Sequence, residues 1–177
     1  MTHRISRRIE IDAAHRIPEH GSRCRHLHGH RYVVEAVAES ITLAEAGEQH
    51  GMVLDFSFLK DLMIAEIDGP CDHGMMLWVQ DEDVLARLAP HPSDGSWQQS
   101  LREAVTEHGY CETCDNALGT RLYLLPAPPT AEVLAEHWFS RLSPGVHERS
   151  HGRARLVRVT VWETPNCRAE FEPSTGG

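Results

Sequence analysis

The chain has 177 residues, 41% of them hydrophobic and 24% charged, which is the length and balance of one compact domain and excludes repeat arrays and fibrous classes. Seventeen Lys and Arg against 26 Asp and Glu leave a net charge of −9, so nucleic acid and anionic membrane are poor expectations as partners. Thirteen histidines are a heavy load of the commonest metal ligand.

Arg4, Arg7 and Arg8 near the N-terminus are followed by no apolar core of the ~7 to 15 residues a secretory signal needs, and no stretch of roughly 20 suits a spanning helix. A soluble, cytoplasmic protein is expected. Five cysteines at irregular spacings read as thiols in a reducing compartment, not as a disulfide framework.

From Arg4 to His15 the chain alternates, with Ile5, Ile9, Ile11, Ala13 and His15 on one parity, predicting a half-buried strand whose inner face ends at His15. A loop from Pro18 to Arg25 leads to a second strand, His28 to Glu39, with His28, His30, Tyr32, Val34, Ala36 and Ala38 on one face. Met52 to Phe56 reads as a short extended piece. Asp55 or Ser57 then caps a helix through Ile67 with Leu59, Leu62, Met63 and Ile67 as its stripe. Short helices are expected over Asp81 to Leu88 and Ser96 to His108, and a strand over Arg121 to Leu125. Thr130 is a good N-cap for a helix carrying Val133, Leu134, His137, Trp138, Arg141 and Leu142, stopped by Pro144 and Gly145. A last strand, Arg155 to Glu163, sets Glu163 at the end of a row of three valines. Strand, strand, helix, variable segment, helix, strand fits an α+β sheet with helices on one face.

The densest chemical signal is His15 followed by Cys24-Arg25-His26-Leu27-His28-Gly29-His30. His-x-His on a strand points two imidazoles one way, and a third from a neighbouring strand makes the three-nitrogen set that leaves zinc a fourth position. His26 has the same parity and stays a candidate on pattern alone. Gly29 allows close approach of a backbone. Cys24, between Arg23 and Arg25, is a plausible general base, since fixed positive charge favours the thiolate. Asp72-His73 sets a carboxylate beside an imidazole for proton transfer.

These residues bring the chain to a known family. It resembles the 6-pyruvoyl-tetrahydropterin synthase family, and most closely its 6-carboxytetrahydropterin synthase branch. The resemblance rests on Asp12-Ala13-Ala14-His15-Arg16, the Cys24 to His30 run, Val53-Leu54-Asp55-Phe56 through Leu59-Lys60, Asp72-His73, Pro129-Thr130-Ala131-Glu132 and Glu163-Thr164. It implies a single domain over 1–177 with a tunnelling fold: a four-stranded antiparallel sheet, two helices on one face and a variable insert at about 74–128 between them. It also implies homohexamers with active sites between subunits.

For the residues, the resemblance implies that His15, His28 and His30 bind zinc, without His26. Cys24 would be the proton acceptor, His73 with Asp72 the second acid/base group, and Glu163 the anchor of the pterin's amino-pyrimidine edge, assisted by Thr164. A carboxylate suits that edge because it accepts two parallel hydrogen bonds. The implied substrate is 7,8-dihydroneopterin triphosphate, cleaved to 6-carboxytetrahydropterin, acetaldehyde and triphosphate in 7-deazapurine (queuosine-type) synthesis. Arg16, Arg23, Arg25 and Arg31 form a basic cluster around the metal motif and are candidates to hold the triphosphate.

Two rival readings are a pyruvoyl-type synthase that eliminates triphosphate and a non-catalytic, zinc-dependent pterin-binding protein. Gly74 and Met75 follow His73 where many relatives carry a second His. Cys111-Glu112-Thr113-Cys114, near His108, is either half of a structural zinc site or two unpaired thiols. Trp97, Trp138 and Trp162 are expected to pack rather than to stack on bases.

Overall fold

A computed structural model of the protein describes residues 1–90 and 95–174. In chain order it contains β1 (His3–His15), β2 (His28–Ser40), α1 (Phe56–Met63), β3 (Met75–Trp78), α2 (Glu82–Leu88) and α3 (Ser96–His108). β4 (Cys111–Thr113), β5 (Leu122–Leu125), α4 (Ala131–Arg149), β6 (Arg155–Thr164) and β7 (Cys167–Phe171) follow.

The strands hydrogen-bond in the order β4-β5-β3-β1-β2-β6-β7. β1–β3 and β3–β5 run parallel, whereas β2–β6, β6–β7 and β4–β5 run antiparallel. The expected α+β class stands, but among the described residues a mixed seven-stranded sheet with four helices replaces the four antiparallel strands and two helices that the resemblance implies. The strand expected over Arg121 to Leu125 is β5, while β3 and β4, also in the expected insert, are unexpected and have only four and three residues. A run as short as Met75–Trp78 is apolar throughout, so it carries no period by which a strand is told from a loop or a helix turn.

The chain forms two compact units. One comprises Met1–Glu10, Tyr32–Gly69 and the chain from Ala131 on. Its β2 face is sealed at Tyr32, Val34, Ala36 and Ala38, and α4 packs its Leu134, Trp138, Leu142 and Val146 onto β6 and β7. Trp138 is therefore a packing residue, as expected. Trp162 differs, because the Arg8 guanidinium lies 4.8 Å and the Arg168 guanidinium 5.7 Å from its ring centre. On β2, Glu39 accepts from Arg4 at 2.8 Å and Arg155 at 2.6 Å, and Glu35 accepts from Arg8 at 2.6 Å.

Two helix ends differ from the sequence reading. Asp55 caps α1 through the Ser57 N–H at 2.6 Å, but Phe56 is already helical, so Met52 to Phe56 is not an extended strand. Beyond Met63 the chain continues through a π-helical stretch, Ile64–Asp68, and a turn, Gly69–Cys71. In α4 the helix runs through Pro144 to Arg149 instead of stopping there. Pro144 is exposed, and Leu142 and Val146 on either side are fully buried, so burial of the flanking turn offsets the hydrogen bond the ring removes. A Cβ on Gly145 would meet the Leu62 side chain at 2.5 Å, so the missing side chain is what lets α4 approach α1.

The other unit comprises Ile11–Arg31 and Pro70–Thr130. Leu77, Leu85, Leu88, Leu101, Val105, Leu122 and Leu124 form its core, with Trp97 and Cys111 packed against it. The expected insert, of which 91–94 lie outside the described residues, thus builds its own small core from α2, α3, β3 and β5. Burial pushes the Cys111 thiol up from its ordinary pKa, and Cys114 is exposed.

Candidate metal centre

His15, His28 and His30 all lie in the second unit, at the end of β1 and the start of β2. One nitrogen from each imidazole falls within 4.8 Å of the others, the one cluster of this kind among the described residues. The alternation of β1 explains His15: it is the last residue on the parity that buries Ile9, Ile11 and Ala13, and it is itself fully buried. The period of β2 then turns His28 and His30 to one side, with ring centres 4.9 Å apart and 4.5 and 5.2 Å from that of His15. His26 lies outside the cluster; its backbone carbonyl instead accepts from His28 Nδ1 at 2.7 Å.

That bond settles a tautomer. A carbonyl only accepts, so His28 donates from Nδ1, and its neutral form would present Nε2 as a lone-pair ligand. His15 does the same, donating from Nδ1 to the Pro129 carbonyl at 2.9 Å. The two Nε2 atoms then face each other at 3.1 Å. At that distance the two nitrogens can share a proton or a metal ion, and two nitrogens on one tetrahedral zinc stand about 3.3 Å apart. Burial, reinforced by the neighbouring imidazoles, holds the His15 pKa down at about 4, so at neutral pH the ring is in its neutral, ligating form. The donor set therefore fits a nitrogen-ligated ion such as zinc, with both outer nitrogens fixed by carbonyls in the manner of metal-ligating histidines.

A pocket of about 420 Å³ adjoins the cluster, lined by Asp12, Gly29, His30, Arg31, His73 and Gly74 among others. Gly29 is bare because a Cβ there would sit 3.1 Å from the Ala13 carbonyl oxygen. A larger residue would force β2 away from β1 between the two histidines of the His-x-His pair.

Asp72 and His73 reach this pocket through Asp12. The Asp12 N–H donates to Asp72 Oδ1 at 2.8 Å, and the His73 N–H donates to the Asp12 carbonyl at 2.8 Å. His73 has a φ of 54°, rare for a non-glycine residue, and its side chain is 82% exposed. Its Nε2 stands 3.6 Å from Asp72 Oδ2, close enough to feel the charge but too far for a hydrogen bond.

The remaining candidates are dispersed. Cys24 sits half-buried in a 3₁₀ turn, Arg23–Arg25, and is not among the pocket's lining residues. Arg23 and Arg25 are exposed. Arg16 is paired with Asp81 at 3.0 Å, and Arg31 holds the Asp12 carboxylate in a two-pronged contact at 3.0 and 2.8 Å. Glu163 and Thr164 end β6 in the other unit, both half-buried, where the Thr164 hydroxyl accepts from the Asn166 N–H at 3.3 Å. Sequence reasoning missed the bracing role of Asp12 and the Pro129 carbonyl. The first stood inside a recognised motif without an argued role, and the second is a backbone atom that no residue pattern marks.

The sequence pattern of the family described as 6-pyruvoyl tetrahydropterin synthase matches residues 4–174. A 6-carboxy-5,6,7,8-tetrahydropterin synthase of Rickettsia bellii is 32% identical over 168 residues, covering 94% of this chain and 98% of its own. A protein of the same description from Haemophilus influenzae is 27% identical, covering 96% and 98%. Among solved structures, an uncharacterized protein of Wolinella succinogenes superposes with a TM-score of 0.71 at 19% identity, covering 98% of this chain and 99% of its own. The 6-pyruvoyl tetrahydropterin synthase of Plasmodium vivax does so at 0.60 and 18%, covering 97% of each chain. At these identities the structures establish a shared fold, while the sequence match over nearly the whole chain establishes descent: the protein belongs to the 6-pyruvoyl tetrahydropterin synthase family.

Proposed function

We propose that the protein is a zinc-dependent 6-carboxytetrahydropterin synthase, a lyase that converts 7,8-dihydroneopterin triphosphate to 6-carboxytetrahydropterin, acetaldehyde and triphosphate. The observation that carries this reading is the approach of the His15 and His28 Nε2 atoms to 3.1 Å, beside a pocket lined by His30 and His73. The names of the similar sequences favour the carboxy branch over the pyruvoyl one. Zinc at the three histidines would supply Lewis acidity toward the side-chain oxygens of the substrate.

The chain's own residues have separate tasks in this reading. Cys24, between two arginines, removes a carbon-bound proton. His73, with Asp72 Oδ2 3.6 Å away, returns or takes the second proton, and its exposed ring has the freedom to reach substrate. Glu163, with Thr164, binds the amino-pyrimidine edge of the pterin. Arg23 and Arg25, exposed on the Cys24 turn, are available to the triphosphate. We further infer one catalytic domain over 1–177, a homohexamer, a cytoplasmic location and a place in 7-deazapurine (queuosine-type) synthesis; no helix among the described residues is long and apolar enough to cross a membrane.

Incubation with 7,8-dihydroneopterin triphosphate tests the reading. Wild type should release acetaldehyde and Cys24→Ala should not. Triphosphate release without acetaldehyde would make the protein a pyruvoyl-type synthase, and tight pterin binding without either product would make it a binding protein.

A further inference from the structure

The basic cluster around the metal motif makes Arg16 a candidate for the triphosphate, but in the structure its guanidinium has other partners. Nη1 donates to Asp81 Oδ1 at 3.0 Å, Nη2 lies 3.7 Å from Asp83 Oδ2, and Nε donates to the Arg25 carbonyl at 2.9 Å. The Arg16 side chain is 17% exposed and that of Asp81 only 2%. Asp81 is held in turn, since its N–H donates to the Trp78 carbonyl at 2.9 Å and its carbonyl accepts the Leu85 N–H at 3.0 Å at the start of α2. One planar group thus ties a buried carboxylate to the backbone one residue after Cys24.

Inside the Cys24 turn the His26 N–H donates to the Arg23 carbonyl at 3.0 Å, but the rest of the turn is weakly held. Ser22 makes no side-chain cap, the turn buries no residue, and its first internal bond, Arg25 N–H to Ser22 O, is 3.4 Å long. Its anchors lie immediately after His15: Arg16 grips the Arg25 carbonyl, and the Ile17 N–H donates to the Cys24 carbonyl at 2.9 Å. Both leave the chain next to a proposed metal ligand, so the turn's position is referred to the metal centre.

We propose that Arg16, locked by Asp81, is a positioning residue that sets the Cys24 turn relative to the histidine cluster, and that it does not bind the triphosphate. Asp81 belongs to the segment that varies within the family by the resemblance, which gives that segment a role in placing the thiol. The proposal rests on the reading that Cys24 takes part in the chemistry.

Arg16→Lys and Asp81→Asn test it together, since both preserve bulk at the site while Lys cannot span Asp81 and the Arg25 carbonyl with one planar group. Amide hydrogen exchange in peptides covering residues 22–27 should quicken in both variants, and the alkylation rate of Cys24 by iodoacetamide should change in both. With 7,8-dihydroneopterin triphosphate, kcat should fall on the order of 10- to 100-fold, as expected for a misplaced reacting group, with KM held to about two-fold. A raised KM with intact kcat, or wild-type exchange and alkylation in either variant, would overturn the proposal. If wild type proves not to cleave the substrate, the function fails, yet the exchange and alkylation results still decide whether Arg16 and Asp81 hold the turn.

Discussion

The Asp12 backbone N–H donates to the Asp72 carboxylate at 2.8 Å, and through this bond β1 orients the acid of the Asp72-His73 pair. The same residue's carbonyl takes the His73 N–H, which holds His73 at its unusual positive φ. Asp72 therefore has two separable contributions, a charge near the imidazole and an acceptor for the brace. Asp72→Asn keeps an oxygen that can accept the Asp12 N–H, while Asp72→Ala keeps neither. Acetaldehyde release should fall in both and further in Asp72→Ala; equal losses would assign the whole effect to the charge.

Gly29→Ala should loosen the metal centre without removing a ligand. Its new methyl meets the Ala13 carbonyl oxygen at 3.1 Å, and the strand must shift between His28 and His30. Overpacking of this kind costs about 1–3 kcal/mol. Zinc affinity measured by competition with a chromogenic chelator should drop; an affinity equal to wild type would mean the close approach is incidental.

In α4, Gly145→Ala should gain less than the usual helix rule gives. Alanine normally stabilises a helix interior by up to about 1 kcal/mol over glycine. Here the added Cβ stands 2.5 Å from a Leu62 methyl, so the Leu62 side chain must move and the usual gain is expected to shrink. Leu62→Ala in the same chain should restore the gain of Gly145→Ala, a coupling that thermal unfolding of the four-member cycle would detect.

His137, on α4, is held down to a pKa of about 4 by burial, with the nearby Arg141 charge adding to the effect. The unfolded chain, with an ordinary value near 6.5, therefore binds the proton first as pH falls. The contribution of neutral His137 to stability is complete above about 6.5 and is lost progressively down to about 4, at most about 3 kcal/mol over that span. Unfolding midpoints of His137→Gln should consequently fall less steeply than those of wild type between these pH values. His15 shares the same depression and is present in both proteins, so parallel curves would contradict the assignment to His137.

Much of the centre was legible because strand parity is a strict rule. The two-residue period of β1 put His15 on the buried face with Ile9, Ile11 and Ala13, and the period of β2 turned His28 and His30 together. Contacts between distant residues were not legible: Arg16 lies among other arginines in sequence, but its partner is Asp81, 65 residues on. Local charge therefore suggested a free cation where the fold makes a buried pair. The strand over Arg121 to Leu125 was legible and is β5, but β3 escaped and so did the parallel pairing of both, since pairing is defined by partners and not by any pattern of a strand's own. Pro144 was read as a stop because the rule for proline concerns its missing N–H, and the burial of Leu142 and Val146 that outweighs it is tertiary.

The most direct test is acetaldehyde release from 7,8-dihydroneopterin triphosphate by one preparation measured as purified, after chelation, and after return of zinc. One zinc per chain at the start, loss of acetaldehyde with the metal, recovery on adding zinc, and failure of His28→Ala to recover are the predicted results. Undiminished acetaldehyde release from the stripped protein, or full recovery by His28→Ala, would contradict a three-histidine metal centre as the basis of the activity.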